Sequence, residues 1–326
     1  MNSLQPDSLE KGAKHNTLLG LVRLLVLVAA LAPLALAMSK SWREVQAALT
    51  HINWSYFIFS QAILFLVMPL MASISWFTVR RLTNVLGVYQ AIRLYFISQL
   101  PKYLPGGIWA FPGRMVAYQR AGVDRTKSVV SVFREVTALF LGGATIALLG
   151  LTRGMPASEN LRLILGIGIA GSILVLLLTQ LPWFWRFLSS IRLLRSTALP
   201  ILEIPSEDVS LAWLPWAFIV SCVFWLALGV SFRQLVVAIN PDVSLSWIGA
   251  ASVFSLAWCV GFVIVFVPAG LGIREAALAF LLSRFLAEGD ALAVALLARP
   301  WWMVAEALWI LPSWLWTFIK WDGRAA

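Results

Sequence analysis

The chain has 326 residues, 60% of them hydrophobic and only 12% charged, with a mean hydropathy of +0.85. A chain this apolar is excluded from the ordinary soluble classes and reads as an all-α polytopic integral membrane protein. Its net charge of +10 does not point to nucleic acid, because the Lys and Arg residues lie in short segments between apolar runs, where they set orientation and face anionic headgroups.

A spanning helix needs roughly 20 apolar residues, and the chain supplies such runs one after another. Residues 1–17 are polar and read as a cytoplasmic tail, and 18–326 as a single membrane domain with no linker long enough to separate a second. The first run, 18–37, has the length of a spanning helix and no convincing cleavage site, so it is expected to be retained. Further helices are expected near 55–78, 126–150, 161–181, 210–236 and 245–267, with a last long one near 291–318. Two interrupted segments lie between them, 84–118 and the stretch from Pro268 to about Ala287. The 182–208 connection is expected to carry a short amphipathic helix at the cytoplasmic surface. The total is about eight transmembrane helices plus the broken hairpins. Seventeen tryptophans, many at the ends of apolar runs, suit the aromatic belts of the two membrane interfaces.

Lys11 and Lys14 precede the first helix, and Arg80, Arg81, Arg120, Arg125 and Lys127 flank the first hairpin. Arg186, Arg192 and Arg195 lie in the 182–208 connection, and Lys320 and Arg324 end the chain. The alternate connections are poorer in cations, so both termini are expected in the cytoplasm of an inner-membrane protein, with 38–53, 151–160, 238–244 and Glu288–Asp290 outside. That parity holds only if 84–118 enters from the cytoplasm and returns to it, as a re-entrant hairpin or a pair of short helices.

The hairpin contains LPKYLPGGIWAFPGR, where Pro101, Pro105, Gly106, Gly107, Pro112 and Gly113 make continuous helix untenable. Non-helical backbone at membrane depth leaves polar groups unpaired at several kcal/mol each, so the break is expected to line something polar. A second break, VPAGLGIREAA, interrupts an apolar run with Pro268, Gly270 and Gly272, followed directly by Arg274 and Glu275. Asp124 and Asp290 are expected to cap the helices that follow the two breaks. Arg134 and Arg299 then lie on the order of 14 Å along those helices. Pro105 to Arg134 spans 29 positions and Pro268 to Arg299 spans 31, a spacing compatible with an inverted repeat. Paired broken segments in the two halves of a chain point to a central transport site.

Arg114, Arg134, Glu135, Arg274, Glu275, Arg299 and Glu306 are all expected in or near mid-bilayer, where each costs at least about 2.5–3.5 kcal/mol. Glu306 follows Arg299 by seven residues, two turns along one helical face. The structural alternative pairs these charges with one another, Arg134 with Glu306 or Glu135 with Arg299. Four arginines against three glutamates leave positive charge over, and guanidinium groups beside exposed helix ends suit a phosphate. Arg23, Arg233 and Arg284 lie near helix ends and are expected to snorkel to the interfaces. Cys222 and Cys259 lie inside apolar runs, His15 and His51 are isolated, and HExxH, CxxC and Walker patterns are absent. No catalytic residue, metal or cofactor is therefore expected.

The run QLPKYLPGGIWAFPGRMVAYQRAGVDRTKSVVSVFRE, with its later partner VPAGLGIREAALAFLL, resembles the lysylphosphatidylglycerol synthase transmembrane-region family over most of the chain. That family includes the flippase portion of aminoacyl-phosphatidylglycerol synthases and stand-alone relatives found near glycan and glycolipid genes. The resemblance implies that Lys102, Pro105, Gly106, Gly107 and Arg114 form a first signature and Pro268, Gly270, Gly272, Arg274 and Glu275 a second. Arg134 and Glu135 stand where members usually carry a charged cluster in a different order. Full-length synthases continue into a soluble aminoacyl-transferring domain; this chain stops at Ala326, so that activity is expected to be absent.

The leading expectation is a translocase that admits the head of an anionic phospholipid or polyprenyl-phosphate-linked glycan to a central arginine site. The alternatives are a membrane-embedded lipid-modifying glycosyltransferase, for which the first outer connection offers only Glu44 as an acid, and a non-transporting accessory subunit of a glycolipid or cell-envelope pathway. A glycosyltransferase or synthase partner and a homo-oligomer are both compatible with the sequence.

Overall fold

The computed structural model describes residues 42–103, 110–152, 159–178, 211–263 and 272–321, and all the regular structure in them is helical. The expected helix at 18–37, the amphipathic helix in 182–208, and Pro105, Gly106, Gly107, Pro268 and Gly270 lie outside these residues.

In chain order the helices are α1 (Trp42–Thr50), α2 (Trp54–Arg80), α3 (Val88–Ile97), a 3₁₀ turn (Leu100–Tyr103), α4 (Ala110–Arg120), α5 (Arg125–Thr152), α6 (Glu159–Leu178), α7 (Leu214–Ile239), α8 (Trp247–Val263), α9 (Ile273–Leu282) and α10 (Glu288–Trp321). Four of them are long and apolar enough to cross a membrane, over Trp54–Arg80, Arg125–Leu151, Leu214–Ile239 and Glu288–Ser313, while Trp247–Phe262 is a shorter apolar helix. Helix α1 falls in a connection that hydropathy alone leaves unstructured. It forms because Val45 and Ala48 recur at helical spacing and bury against α10, while Trp42, Arg43 and Gln46 stay exposed.

Helices α2, α5, α7 and α8 pack as a central group, with α10 against α1, α2, α3, α7 and α9. In lipid there is little hydrophobic drive between helices, so contact depends on small residues and interhelical hydrogen bonds. The α2–α7 seam has both. Ser60 Oγ donates to the Ser231 carbonyl at 2.7 Å, Ser231 Oγ returns the bond to the Ser60 carbonyl at 2.6 Å, and Trp301 Nε1 of α10 donates to Ser60 Oγ at 2.8 Å. Between α7 and α8, a Cβ placed on Gly229 would come within 2.2 Å of the Ala251 Cβ. Only glycine allows that approach.

The two ends of the bundle can be told apart by what ties them. At one end, Asn53 N donates to the Ala238 carbonyl at 2.8 Å and Asn240 Nδ2 to Asp290 Oδ2 at 3.0 Å, bringing together the start of α2, the end of α7 and the start of α10. Asp290 is therefore a crosslink inside the first turn of α10 rather than the cap expected of it, because the helix begins two residues earlier at Glu288. At the other end, Val79, Leu86, Ala91, Tyr118, Val123 and Val132 form one apolar cluster. That cluster holds both feet of the α3–α4 hairpin at the same end of the bundle. Asp124 caps α5 as expected, accepting from Thr126 N at 2.9 Å and Lys127 N at 3.2 Å.

Candidate functional site

The helices that flank the two interruptions meet inside the bundle. Phe111, at the start of α4, meets Phe262, at the end of α8, edge to face at 6.5 Å between ring centroids, and Phe262 stacks on Trp258 at 5.2 Å. Gly261 brings α8 against α9: a Cβ there would lie 3.2 Å from the Cβ of Arg274. Helix α9 opens on Gly272, whose φ of 82° is the left-handed conformation that glycine adopts without strain. Its N–H donates to Glu275 Oε2 at 2.8 Å, so the acid of the second signature fastens its own helix start.

Three carboxylates organise the charges. Glu135 of α5 is ion-paired with Arg114 of α4, and both side chains are 2% exposed. Arg114 is held further by Nε donating to Ser98 Oγ at 3.0 Å and by its guanidinium lying 4.2 Å over the Tyr95 ring. Ser98 Oγ donates in turn to the Tyr95 carbonyl at 2.7 Å. One donor set from α3 and α4 thus grips α5, and Tyr118 on α4 shares a 2.6 Å hydrogen bond with Ser75 on α2. A pair this enclosed locks helices in register, because removing either partner leaves a buried charge.

Glu306 of α10 accepts from Lys102, at the 3₁₀ turn beside the first break, and from Trp302 Nε1 at 2.7 Å. Glu275 of α9 accepts from Arg299 Nε of α10 at 2.9 Å through the oxygen that also lies 3.7 Å from Arg274 Nε. The Arg274 guanidinium sits 5.7 Å over the Phe254 ring. In these two pairs the acids are sealed, at 4% and 5% exposed, while Lys102 and Arg299 are 21% and 23% exposed. Arg299 Nη2 is itself buried and has no hydrogen-bond partner among the described residues. Lys102 also feels the charges of Arg274 and Arg114, and Tyr95 those of Arg114, Glu135 and Glu306, so the three pairs form one electrostatic centre.

The charge pairing differs from both alternatives read from the sequence. Glu135 is taken by Arg114 rather than Arg299, and Glu306 by Lys102 rather than Arg134. The reason is the fold of the first hairpin, which carries Lys102 and Arg114 into the bundle where hydropathy alone cannot place them. Arg134 lies buried on α5 with its guanidinium 5.5 Å over Trp213, at the start of α7. Arg299 and Glu306 do share a face of α10, and each meets a different broken segment. Ser98, Tyr95 and Trp302 are missed by the sequence reading; of these only Trp302 leaves a signal, four residues before Glu306 on one helix face. Of the helix-end arginines, Arg233 donates Nε to the Leu245 carbonyl at 2.8 Å, and Arg284 is exposed beside Phe280. Among the described residues there is no cluster of three or more His, Cys, Asp or Glu side chains suited to a metal ion.

Among the described residues, four cations, Lys102, Arg114, Arg274 and Arg299, thus meet three carboxylates, Glu135, Glu275 and Glu306. The family profile for the lysylphosphatidylglycerol synthase transmembrane region matches residues 20–305. No individual curated protein matches the chain. The span of that match, which includes every charge of the centre except Glu306, shows that the chain belongs to this family, as its two signatures imply.

Proposed function

We propose that this member of the lysylphosphatidylglycerol synthase transmembrane-region family is a lipid translocase of the inner membrane, with both termini cytoplasmic. It passes the head of an anionic phospholipid or polyprenyl-phosphate-linked glycan through the centre where the two broken segments meet, and does no chemistry on it. Lys102, Arg274 and Arg299 engage the phosphate while the acyl or polyprenyl chains stay in the bilayer.

One observation carries this reading: the acids of two ion pairs are sealed and their cations are part open, with a buried Arg299 N–H that has no acceptor among the described residues. Purely structural pairs are expected to be enclosed on both sides, as Arg114 and Glu135 are. The oxygens of a phosphodiester accept charge-assisted hydrogen bonds from guanidinium, such as that of the part-open Arg299. The test is transbilayer movement of fluorescent phosphatidylglycerol in vesicles containing the purified protein. Arg299→Gln and Lys102→Gln are expected to slow it at least tenfold while the protein still folds. Unchanged rates in both variants would overturn the assignment.

The enclosed Arg114–Glu135 pair favours one other reading, a scaffold that holds an envelope glycosyltransferase or synthase. It predicts that the wild-type protein alone moves no lipid and that such an enzyme co-purifies with it.

A further inference from the structure

Away from the central charges, at the end where α7 finishes and α8 begins, a cleft of about 450 Å³ is lined by Val230, Arg233, Gln234, Ser246 and Trp247. Arg233 is six residues short of the end of α7, which puts its Cα about 9 Å below that end. Its Nε is fixed on the Leu245 carbonyl at 2.8 Å, which orients the planar guanidinium and leaves both Nη groups uncommitted among the described residues. No carboxylate pairs with it among those residues, so its charge is available in the cleft. Ser246 Oγ accepts from Gly249 N at 3.1 Å and keeps its own O–H to donate.

The approach to this cleft is apolar on one stripe. Ile219 and Val223 of α7 are 61% and 49% exposed and precede Val230 and Gln234 at the spacing of one helix face. At the mouth, Trp247 is 46% exposed, in the position an interfacial indole takes at headgroup level. Reading along α7 toward its end, the surface passes from aliphatic to cationic and amide groups and then to indole. That order matches a lipid lying alongside it, with chains on Ile219 and Val223 and the phosphate at Arg233.

We infer that this cleft is a second lipid site, which holds the phosphodiester of an anionic phospholipid in the leaflet opposite the basic turns. Arg233 and Gln234 grip the phosphate oxygens, Ser246 donates a third bond, and Trp247 packs on the glycerol region. The site is separate from the central charges and stands whether or not those charges pass lipid.

Native mass spectrometry of the full chain, stripped of lipid in detergent and titrated with short-chain phosphatidylglycerol, tests it. The titration is run in an Arg299→Gln background so that occupancy of the centre is not counted. Arg233→Gln is expected to weaken one bound lipid about tenfold, Arg233→Lys to weaken it less, and Gln234→Leu, which leaves the Arg233–Leu245 bond intact, to weaken it severalfold. Inorganic phosphate at the same concentration is expected to leave the lipid in place. Lipid binding unchanged in both Arg233→Gln and Gln234→Leu, or full displacement by inorganic phosphate at that concentration, would overturn the inference.

Discussion

Arg114–Glu135 and Glu275–Arg299 are both buried ion pairs between a broken segment and a long helix, yet they are built to opposite ends. In the first, both partners are closed off, and the guanidinium is used by a carboxylate, a hydroxyl and an aromatic face at once. In the second, the acid is closed off by its helix start while the base keeps an open side and a spare N–H. The difference teaches how to sort charges at membrane depth: a pair enclosed on both sides holds helices together, whereas a pair whose cation keeps an open side is the one placed to meet a ligand.

Five variants break or sharpen that contrast. Glu135→Ala leaves Arg114 uncompensated and is expected to cost about 3–5 kcal/mol, read as loss of folded protein in detergent melting. The double change Arg114→Leu with Glu135→Leu recovers most of it, since replacing both ions by apolar groups is far less costly than orphaning one. Trp302→Phe removes one donor from the Glu306 carboxylate and is expected to cost about 1.5–3 kcal/mol by the same melting measurement. Arg299→Gln leaves Glu275 with the Gly272 N–H and the nearby Arg274 and is expected to cost about 1.5–3 kcal/mol, less than Glu135→Ala, while slowing lipid movement at least tenfold. A large stability loss with unchanged transport would place this pair with Arg114–Glu135. Asp124→Ala, at the foot of the first hairpin and outside both pairs, loses an N-cap and is expected to cost about 1 kcal/mol with transport unchanged.

Much of the architecture is legible in the sequence, because the bilayer demands runs of about 20 apolar residues and taxes every charge inside them. The long helices among the described residues fall within a few residues of their expected ranges. What hydropathy does not carry is which side chains the breaks bring together. Lys102 reaches Glu306 across 204 positions of sequence, and no periodicity encodes a contact of that range. The seal around Arg114 is hidden for the same reason, since Ser98 and Tyr95 are unremarkable on a short helix until the hairpin folds back. Asp290 shows the converse error: a residue with cap chemistry, preceded by an earlier helix start, is free to crosslink Asn240 instead.

Arg299 and Glu306 are two turns apart on α10, about 10 Å along one rod, and each is gripped by a different broken segment. The first segment holds the rod by an acid, through Lys102, and the second holds it by a base, through Glu275. If the centre takes an anion as proposed, that anion competes with Glu275 for Arg299 and with Glu306 for Lys102, so a single ligand bears on both segments through one shared helix.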